Sequence, residues 1–213
     1  MTCYGRYSEK ISDYTRLDLQ KRIETDRGRR LVRIIDPYNY RERIKIPKLI
    51  INGTNDRFWT VDSLNLYFDD LYGDKYILYV PNSGHKLEDK RRVINSTVAF
   101  ILSIVSGTKM PNVEGNIDSS YNFTVKVDGE ANYVDLWISR SDTLDFRDSV
   151  WTCIPGVNWD GDYVFPLRKE SFQSKFIAVF GEATFIQRSR VFTLSTKISV
   201  LKQQNLQIKR ENK

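Results

Sequence analysis

The chain has 213 residues, with 33 Lys and Arg, 27 Asp and Glu, two Cys and one His. Hydrophobic residues at 40% and charged residues at 28% are typical of a globular protein and argue against a disordered or fibrous chain. No apolar run reaches the roughly 18 to 20 residues of a membrane helix, and two Cys with one His do not suffice for the usual zinc sites. We therefore expect no membrane segment, no metal and no cofactor, and any imidazole chemistry must use His85.

Residues 1–46 are predicted to be a basic leading segment, partly helical and partly irregular. The first 48 residues contain 13 basic and seven acidic side chains, so they account for the whole net charge of +6. Ser8 can cap a helix over residues 8–24, and residues 29–46 are predicted to be irregular because they are basic and end close to prolines.

The composition of this leading segment also bears on partners and location. Its tyrosines and arginines are compatible with stacking on nucleic-acid bases, but its charges alternate in sign and it carries no recognisable nucleic-acid motif. We therefore expect a solvated segment and no nucleic-acid partner, with nucleic-acid binding as the weakest of three functional hypotheses. Polar residues follow Met1, so no signal peptide is predicted. The location stays open, because a longer parent protein could be secreted.

Residues 47–110 show an alternation of buried strands and amphipathic helices. Apolar runs predict strands at 48–53 and 75–80, and apolar residues at helical spacing predict helices over 61–71 and 89–106. A strand–helix–strand–helix order predicts two parallel strands joined by a right-handed crossover.

Residues 111–201 change to the pattern of an all-β domain. Apolar and polar residues alternate in short segments separated by glycine-containing turns, which predicts an antiparallel β-sandwich-like domain. The segments that show this alternation are Phe123 to Val127, Val134 to Ile138 and Leu194 to Val200, and further strands are predicted around Val164 and over Phe176 to Phe180. Residues 202–213 are predicted to be a polar tail.

Each of the two predicted parallel strands is followed by a loop that carries one candidate acid or base. Asp56 lies in the loop after the first strand, and His85 lies in the loop after the second. Since the carboxyl ends of parallel strands meet at one edge of a sheet, an acid that orients a histidine general base is one interpretation of this pair. The alternative is structural: Asp56 caps the next helix or pairs with Arg57, and His85 bonds only to backbone.

The chain also resembles the PhoPQ-activated pathogenicity-related protein family from about Tyr4 to Val200. The segments that carry the resemblance are Asp36-Pro37-Tyr38, NGTNDRFW at 52–59, DSLNLYFDDL at 62–71, YVPNSGH at 79–85 and SDTLDFRDSVW at 141–151. This family is similar to α/β-hydrolases with a β-rich C-terminal region. The resemblance implies that Asp56 and His85 occupy the acid and histidine positions of a Ser-type triad.

The nucleophile of such a triad has no counterpart in this sequence. No Gly-x-Ser-x-Gly motif occurs in the 213 residues, and Cys3 is not preceded by the strand that a nucleophile elbow requires. We therefore expect a fragment that is inactive alone, while its full-length parent would hydrolyse an ester or peptide-like bond. The alternative is a non-catalytic secreted or signalling protein that binds a still unknown protein partner through its β-sandwich.

These observations combine into one prediction of fold class, α/β plus all-β. A partial α/β-hydrolase fold, formed by the C-terminal βαβα unit of a parallel sheet, would be followed by the β-sandwich-like domain.

Overall fold

A computed structural model describes residues 7–159, 161–167, 174–187 and 190–202. Cys3 lies outside these residues, as does the predicted tail beyond Lys202. No helix within the described ranges is both long enough and apolar enough to cross a membrane.

The leading segment contains several short helices rather than one. They are a 3₁₀ turn at Glu9–Ile11, α1 at Ser12–Arg16, α2 at Leu19–Arg22, α3 at Asp26–Ile35 and a second 3₁₀ turn at Pro37–Tyr40. The prediction of a continuous helix over 8–24 was wrong, because Asp18 adopts a left-handed conformation with φ 52°. The prediction of irregular backbone over residues 29–46 was wrong as far as Ile35, because α3 extends to that residue and Thr25 caps it through the N–H of Gly28.

Both predicted parallel strands are present, and so is the longer helix. Strand β1 spans Lys48–Gly53 and pairs in parallel with β2 at Lys75–Val80, with Lys48 opposite Lys75. Helix α4 spans Lys90–Ser106 and ends at Gly107, whose φ of 68° suits a residue without a Cβ.

The helix predicted over 61–71 was wrong, because the segment forms only a 3₁₀ turn at Ser63–Leu66. The ammonium group of Lys75 donates to the carbonyl oxygens of Phe68, Asp69 and Leu71 at 2.7 to 3.0 Å. The last turn of a helix over 61–71 would leave these same carbonyls without a backbone partner. The helix is absent because the backbone hydrogen bonds of the segment mostly span three residues instead of four, as from the Asn65 N–H to Asp62 O and from the Asp70 N–H to Tyr67 O.

The remaining strands form two antiparallel sheets. One sheet has the order β3-β4-β8-β7, and the other has the order β10-β9-β5-β6, with β11 also paired to β9. Their bounds are β3 Val113–Ile117, β4 Asn122–Val127, β5 Tyr133–Ser141, β6 Trp151–Pro155, β7 Asn158–Trp159, β8 Asp162–Pro166, β9 Phe176–Gln187, β10 Arg190–Ser195 and β11 Ser199–Lys202. The alternation predicted over 194–200 thus spans two strands, since β10 ends before β11 begins.

Two hydrophobic clusters hold these elements together. The first lies between the antiparallel sheets and includes Phe123 of β4 and Leu136 of β5, with Leu49 of β1 packed against it. The second combines Tyr79 of β2 with Phe180 of β9. The stretches 47–110 and 111–201 therefore contribute side chains to the same clusters.

The predicted fold class was wrong in its central feature, the parallel sheet of an α/β-hydrolase. Of the eleven strands in the described residues, nine lie in the antiparallel sheets and only β1 and β2 are parallel. Within the described ranges, no further parallel strand extends the sheet beyond β2. There the Tyr79 N–H donates to Ser195 Oγ of β10 at 2.9 Å.

Candidate functional site

The loops that follow β1 and β2 lie side by side at one end of the parallel pair. We call residues 54–58 the acid loop and residues 81–85 the histidine loop. The Asn55 N–H donates to the carbonyl oxygen of Ser83 at 2.9 Å. A Cβ at Gly53 would lie 2.3 Å from that same carbonyl oxygen, so only glycine permits so close an approach of the two loops.

The structure brings the two predicted site residues, Asp56 and His85, into direct contact. Asp56 Oδ2 and His85 Nδ1 are 2.8 Å apart. The Asp56 side chain is 6% exposed and the His85 side chain is 58% exposed, so a buried carboxylate meets an imidazole that is open to solvent. An ionised Asp56 only accepts hydrogen bonds, so a hydrogen bond to it requires the proton on His85 Nδ1, and a neutral ring would then have its lone pair on Nε2.

Neighbouring groups restrain both partners. Asp56 Oδ1 accepts the Phe58 N–H at 2.8 Å, and the Phe58 ring centroid lies 4.5 Å from that of His85. Glu88 Oε2 accepts the Gly84 N–H at 2.8 Å. Hydrogen bonds from its own backbone N–H and from Gly84 hold the pKa of the Glu88 carboxyl below its usual range.

Arg57, the predicted alternative partner of Asp56, pairs instead with two other acids. It forms one ion pair with Asp148 and another with Glu9, the latter at 3.4 Å. The buried Arg147 also reaches Glu9, at 2.7 Å. The hydrogen bond from Arg147 and that from its own backbone lower the pKa of the Glu9 carboxyl to about 2. Charged pairs thus connect the acid loop to the leading segment and to the loop before β6.

Two asparagines at the site were missed by sequence reasoning. Asn55 Nδ2 donates to carbonyl oxygens of the loop before β6, and the side chain of Asn82 bonds to both main-chain groups of Trp151. The only sequence signal was the presence of an Asn in each loop, close to Asp56 and to His85.

Other candidate reactive groups lie apart from this pair. No cluster of three His, Cys, Asp or Glu side chains that could hold a metal occurs in the described part of the chain. Burial and then Asp135 raise the pKa of the Cys153 thiol to about 11, which disfavours the nucleophilic thiolate. A cavity of about 390 Å³ between β2, β3 and β10 is lined by neither Asp56 nor His85.

Comparisons with known proteins agree with the resemblance seen in the sequence. Residues 1–147 match the sequence model of the family described as PhoPQ-activated pathogenicity-related protein. The chain is also 24% identical over 154 residues to the autocrine proliferation repressor protein A of Dictyostelium discoideum. That alignment covers 71% of this chain but only 30% of the relative, so the chain corresponds to less than a third of the relative's length.

Proposed function

Because the chain belongs to the PhoPQ-activated pathogenicity-related protein family, we propose that Asp56 and His85 are the acid and the base of a Ser-type triad for hydrolysis of an ester or peptide-like bond. The observation that carries the proposal is the 2.8 Å contact between Asp56 Oδ2 and His85 Nδ1. The burial of the acid and the exposure of the imidazole support it, because a general base needs one oriented side and one accessible side.

In this mechanism His85 is the group that moves protons. Its Nε2 takes the proton of a serine hydroxyl as the serine attacks the carbonyl carbon, and then delivers it to the leaving group. Asp56 keeps the Nδ1 proton in place and stabilises the imidazolium that forms between the two steps.

We further propose that the nucleophile is supplied by polypeptide outside these 213 residues. No Gly-x-Ser-x-Gly motif occurs in the sequence, and Cys153 is held as a thiol. An acid and a base without a nucleophile and an oxyanion hole do not turn over an acyl substrate. The chain alone is therefore inactive as a hydrolase.

A second candidate is a signalling role through protein binding. It is favoured by the name of the Dictyostelium relative, an autocrine proliferation repressor, and this chain aligns with only part of that protein. In this case the antiparallel sheets would present the binding surface, and His85 would not need to act as a base.

The test uses the fact that His85 is the only histidine. In the ¹⁵N-labelled chain, at a pH where the imidazole is neutral, couplings to the carbon-bound ring protons distinguish Nδ1 from Nε2, and the nitrogen shifts then show which of them is protonated, with no need to assign the residue. We expect the Nδ1–H tautomer in the wild type and its loss in Asp56→Asn. The matched control is Asp62→Asn, which removes an equal charge six residues further along the chain. The Asp62 side chain makes no capping hydrogen bond to the 3₁₀ turn that follows it, so its loss should not disturb that turn. A wild type with the proton on Nε2 would refute the proposed base.

A labelling assay tests the missing nucleophile separately. We expect the purified chain not to be labelled by a fluorophosphonate, which phosphonylates serines activated by a histidine base. Covalent labelling of a serine that disappears in His85→Ala would show that the chain holds its own nucleophile and would overturn that part of the proposal.

A further inference from the structure

We propose that Asn55 and Asn82 are positioning residues, which keep Asp56 and His85 in contact by fixing both loops to one short segment of the all-β region. This segment, residues 146–151, is called the brace segment; it comprises the end of the β5–β6 connection and the first residue of β6. The inference rests on the proposed function, because it assigns what holds the same acid–base pair in place.

Asn55 directly precedes Asp56 in the chain and is fully hydrogen-bonded through its side chain. Its Nδ2 donates to the carbonyl oxygens of Ser149 at 2.7 Å and Arg147 at 3.1 Å, with Phe146 O at 3.5 Å. Its Oδ1 accepts the hydroxyl of Thr54 at 2.7 Å. Since the side chain cannot turn without breaking these bonds, the backbone that aims Asp56 at the imidazole is held with it.

Asn82 lies three residues before His85 and binds the same segment. Its Nδ2 donates to Trp151 O at 2.9 Å, and its Oδ1 accepts the Trp151 N–H at 2.8 Å. This two-way pairing resembles the exchange between neighbouring strands. The backbone of Asn82 has a φ of 54°, a left-handed conformation that asparagine tolerates better than most residues.

The two loops are also joined to each other beneath the pair. Thr54 Oγ1 accepts the Asn82 N–H at 2.9 Å, so the residue before Asn55 contacts the other asparagine directly. Both loops therefore share one support, and a movement of the support shifts them together without changing the distance from Asp56 to His85.

The brace segment is itself well fixed. Phe146 and Trp151, at its two ends, are buried in the second hydrophobic cluster, and the Trp151 ring lies 5.3 Å from that of Phe180. Between them Arg147 is buried and pairs with Asp145 at 2.7 Å. A catalytic pair must be held within about 0.5 Å of its productive geometry by residues that are themselves locked by packing. The brace segment is packed in this way.

The same ¹⁵N NMR measurement of the His85 tautomer tests this proposal in two variants, Asn55→Ala and Asn82→Asp. The aspartate keeps an acceptor for the Trp151 N–H and the preference for a left-handed backbone, but it cannot donate to Trp151 O. We expect both variants to lose the fixed Nδ1–H tautomer in part, with ring nitrogen shifts between those of the wild type and Asp56→Asn.

Asn65→Ala is the matched control. Asn65 Nδ2 donates to Ile198 O at 2.8 Å. Like the bonds of Asn55 and Asn82, this bond joins an asparagine side chain of residues 47–110 to the main chain of residues 111–201, but it lies outside the acid loop, the histidine loop and the brace segment. We expect this variant to lower the melting temperature as the other asparagine variants do, while its imidazole spectrum stays that of the wild type.

The outcomes separate the two proposals. If the Asn55 and Asn82 variants keep the wild-type nitrogen shifts, or if Asn65→Ala changes them equally, the positioning role is wrong even when stability falls. A wild-type chain without the Nδ1–H tautomer would instead refute the proposed base itself. Should Asn55→Ala fail to fold, Asn82→Asp still decides the question, because it leaves the Asn55 bonds intact.

Discussion

The leading segment and the rest of the described chain, which we call the body, are built in opposite ways. Of residues 7–46 only Ser8 is buried, and the apolar side chains Leu31, Ile34 and Ile35 of α3 are 55%, 68% and 63% exposed. The body, from residue 47 to residue 202, contains both hydrophobic clusters. Hydrophobic burial is the main stabilising contribution to folding, so the free energy of unfolding must come almost entirely from the body.

The leading segment is joined to the body mainly by polar contacts, and several of these meet at the candidate site. Ser8 Oγ donates to the carbonyl oxygen of Arg57 in the acid loop, and Arg147 of the brace segment donates to Glu9. The leading segment, which adds little to stability, therefore still contacts the acid loop and the brace segment, the two elements proposed to hold Asp56. The predictions below test this contrast, from the largest expected effect to the smallest.

The largest effect is expected for Phe180→Ala in the body. Phe180 is fully buried and its ring lies near those of Tyr79, Trp137 and Trp151, so its truncation leaves a cavity and should cost about 3–5 kcal/mol. Chemical denaturation measures this loss. Leu31→Ala in α3 is the reference and should change stability by less than about 0.5 kcal/mol. Equal losses in the two variants would contradict the contrast between the regions.

A loss of about 3 kcal/mol is expected for Arg92→Met, which removes the partner of a buried acid. Arg92 of α4 pairs with Glu182 of β9, which also accepts the Trp137 Nε1–H at 3.2 Å. Burial raises the pKa of the Glu182 carboxyl, and the guanidinium opposes that rise. The double variant with Glu182→Gln should recover much of the loss, because the amide carries no charge and still accepts from Trp137. No recovery would exclude the unpaired charge as the cause.

The same contrast explains which elements could be predicted from the sequence. β1 and β2 were predicted correctly because their apolar runs pack against the two hydrophobic clusters. The extent of α4 was predicted correctly because Asp89 and Gly107 end it, but its apolar residues Ile94, Ile101 and Val105 are 58%, 51% and 78% exposed. The segment 61–71 has equally good helical spacing, but its backbone hydrogen bonds mostly span three residues and the Asp62 side chain does not cap the turn. The helix over 8–24 failed because little of it is buried, so local backbone preference at Asp18 decides its shape.

The candidate site shows a similar limit. Strand order predicts that the loops carrying Asp56 and His85 lie at one edge of the sheet, since both loops follow parallel strands. It left open whether the two side chains pair with each other or serve separate structural roles. The contacts of Asn55 and Asn82 depend on how the body packs, because their partners lie 69 to 94 residues away in the chain. A sequence read without tertiary contacts contains no pattern for such bonds.

An intermediate effect is expected where the two regions meet, for Arg147→Met. Arg147 is buried and donates to Asp145 and Glu9, and hydrogen bonds to charged groups contribute about 1.5–3 kcal/mol each when a partner is removed. We expect a loss of about 2 kcal/mol together with faster hydrogen exchange in the leading segment. The control is Arg29→Met, which removes an exposed pair with Asp26 and should leave stability almost unchanged. Unaltered exchange in Arg147→Met would show that the leading segment is held by other contacts.

The smallest effect concerns pH and Glu9. The pKa of this carboxyl is about 2 in the folded chain and 4.5 ordinarily, because Arg147 and its own backbone stabilise the charged form. A depressed folded pKa means that the contribution is fully present above pH 4.5 and is lost as the pH falls towards 2. We expect acid to release the leading segment first, seen as a fall in its hydrogen-exchange protection, relative to the intrinsic exchange rate at each pH, before the body unfolds. Glu9→Gln should show low protection in the leading segment at every pH in this range, whereas the exposed Glu24→Gln should follow the wild type. Acid release that is identical in Glu9→Gln and the wild type would assign the effect to another carboxylate.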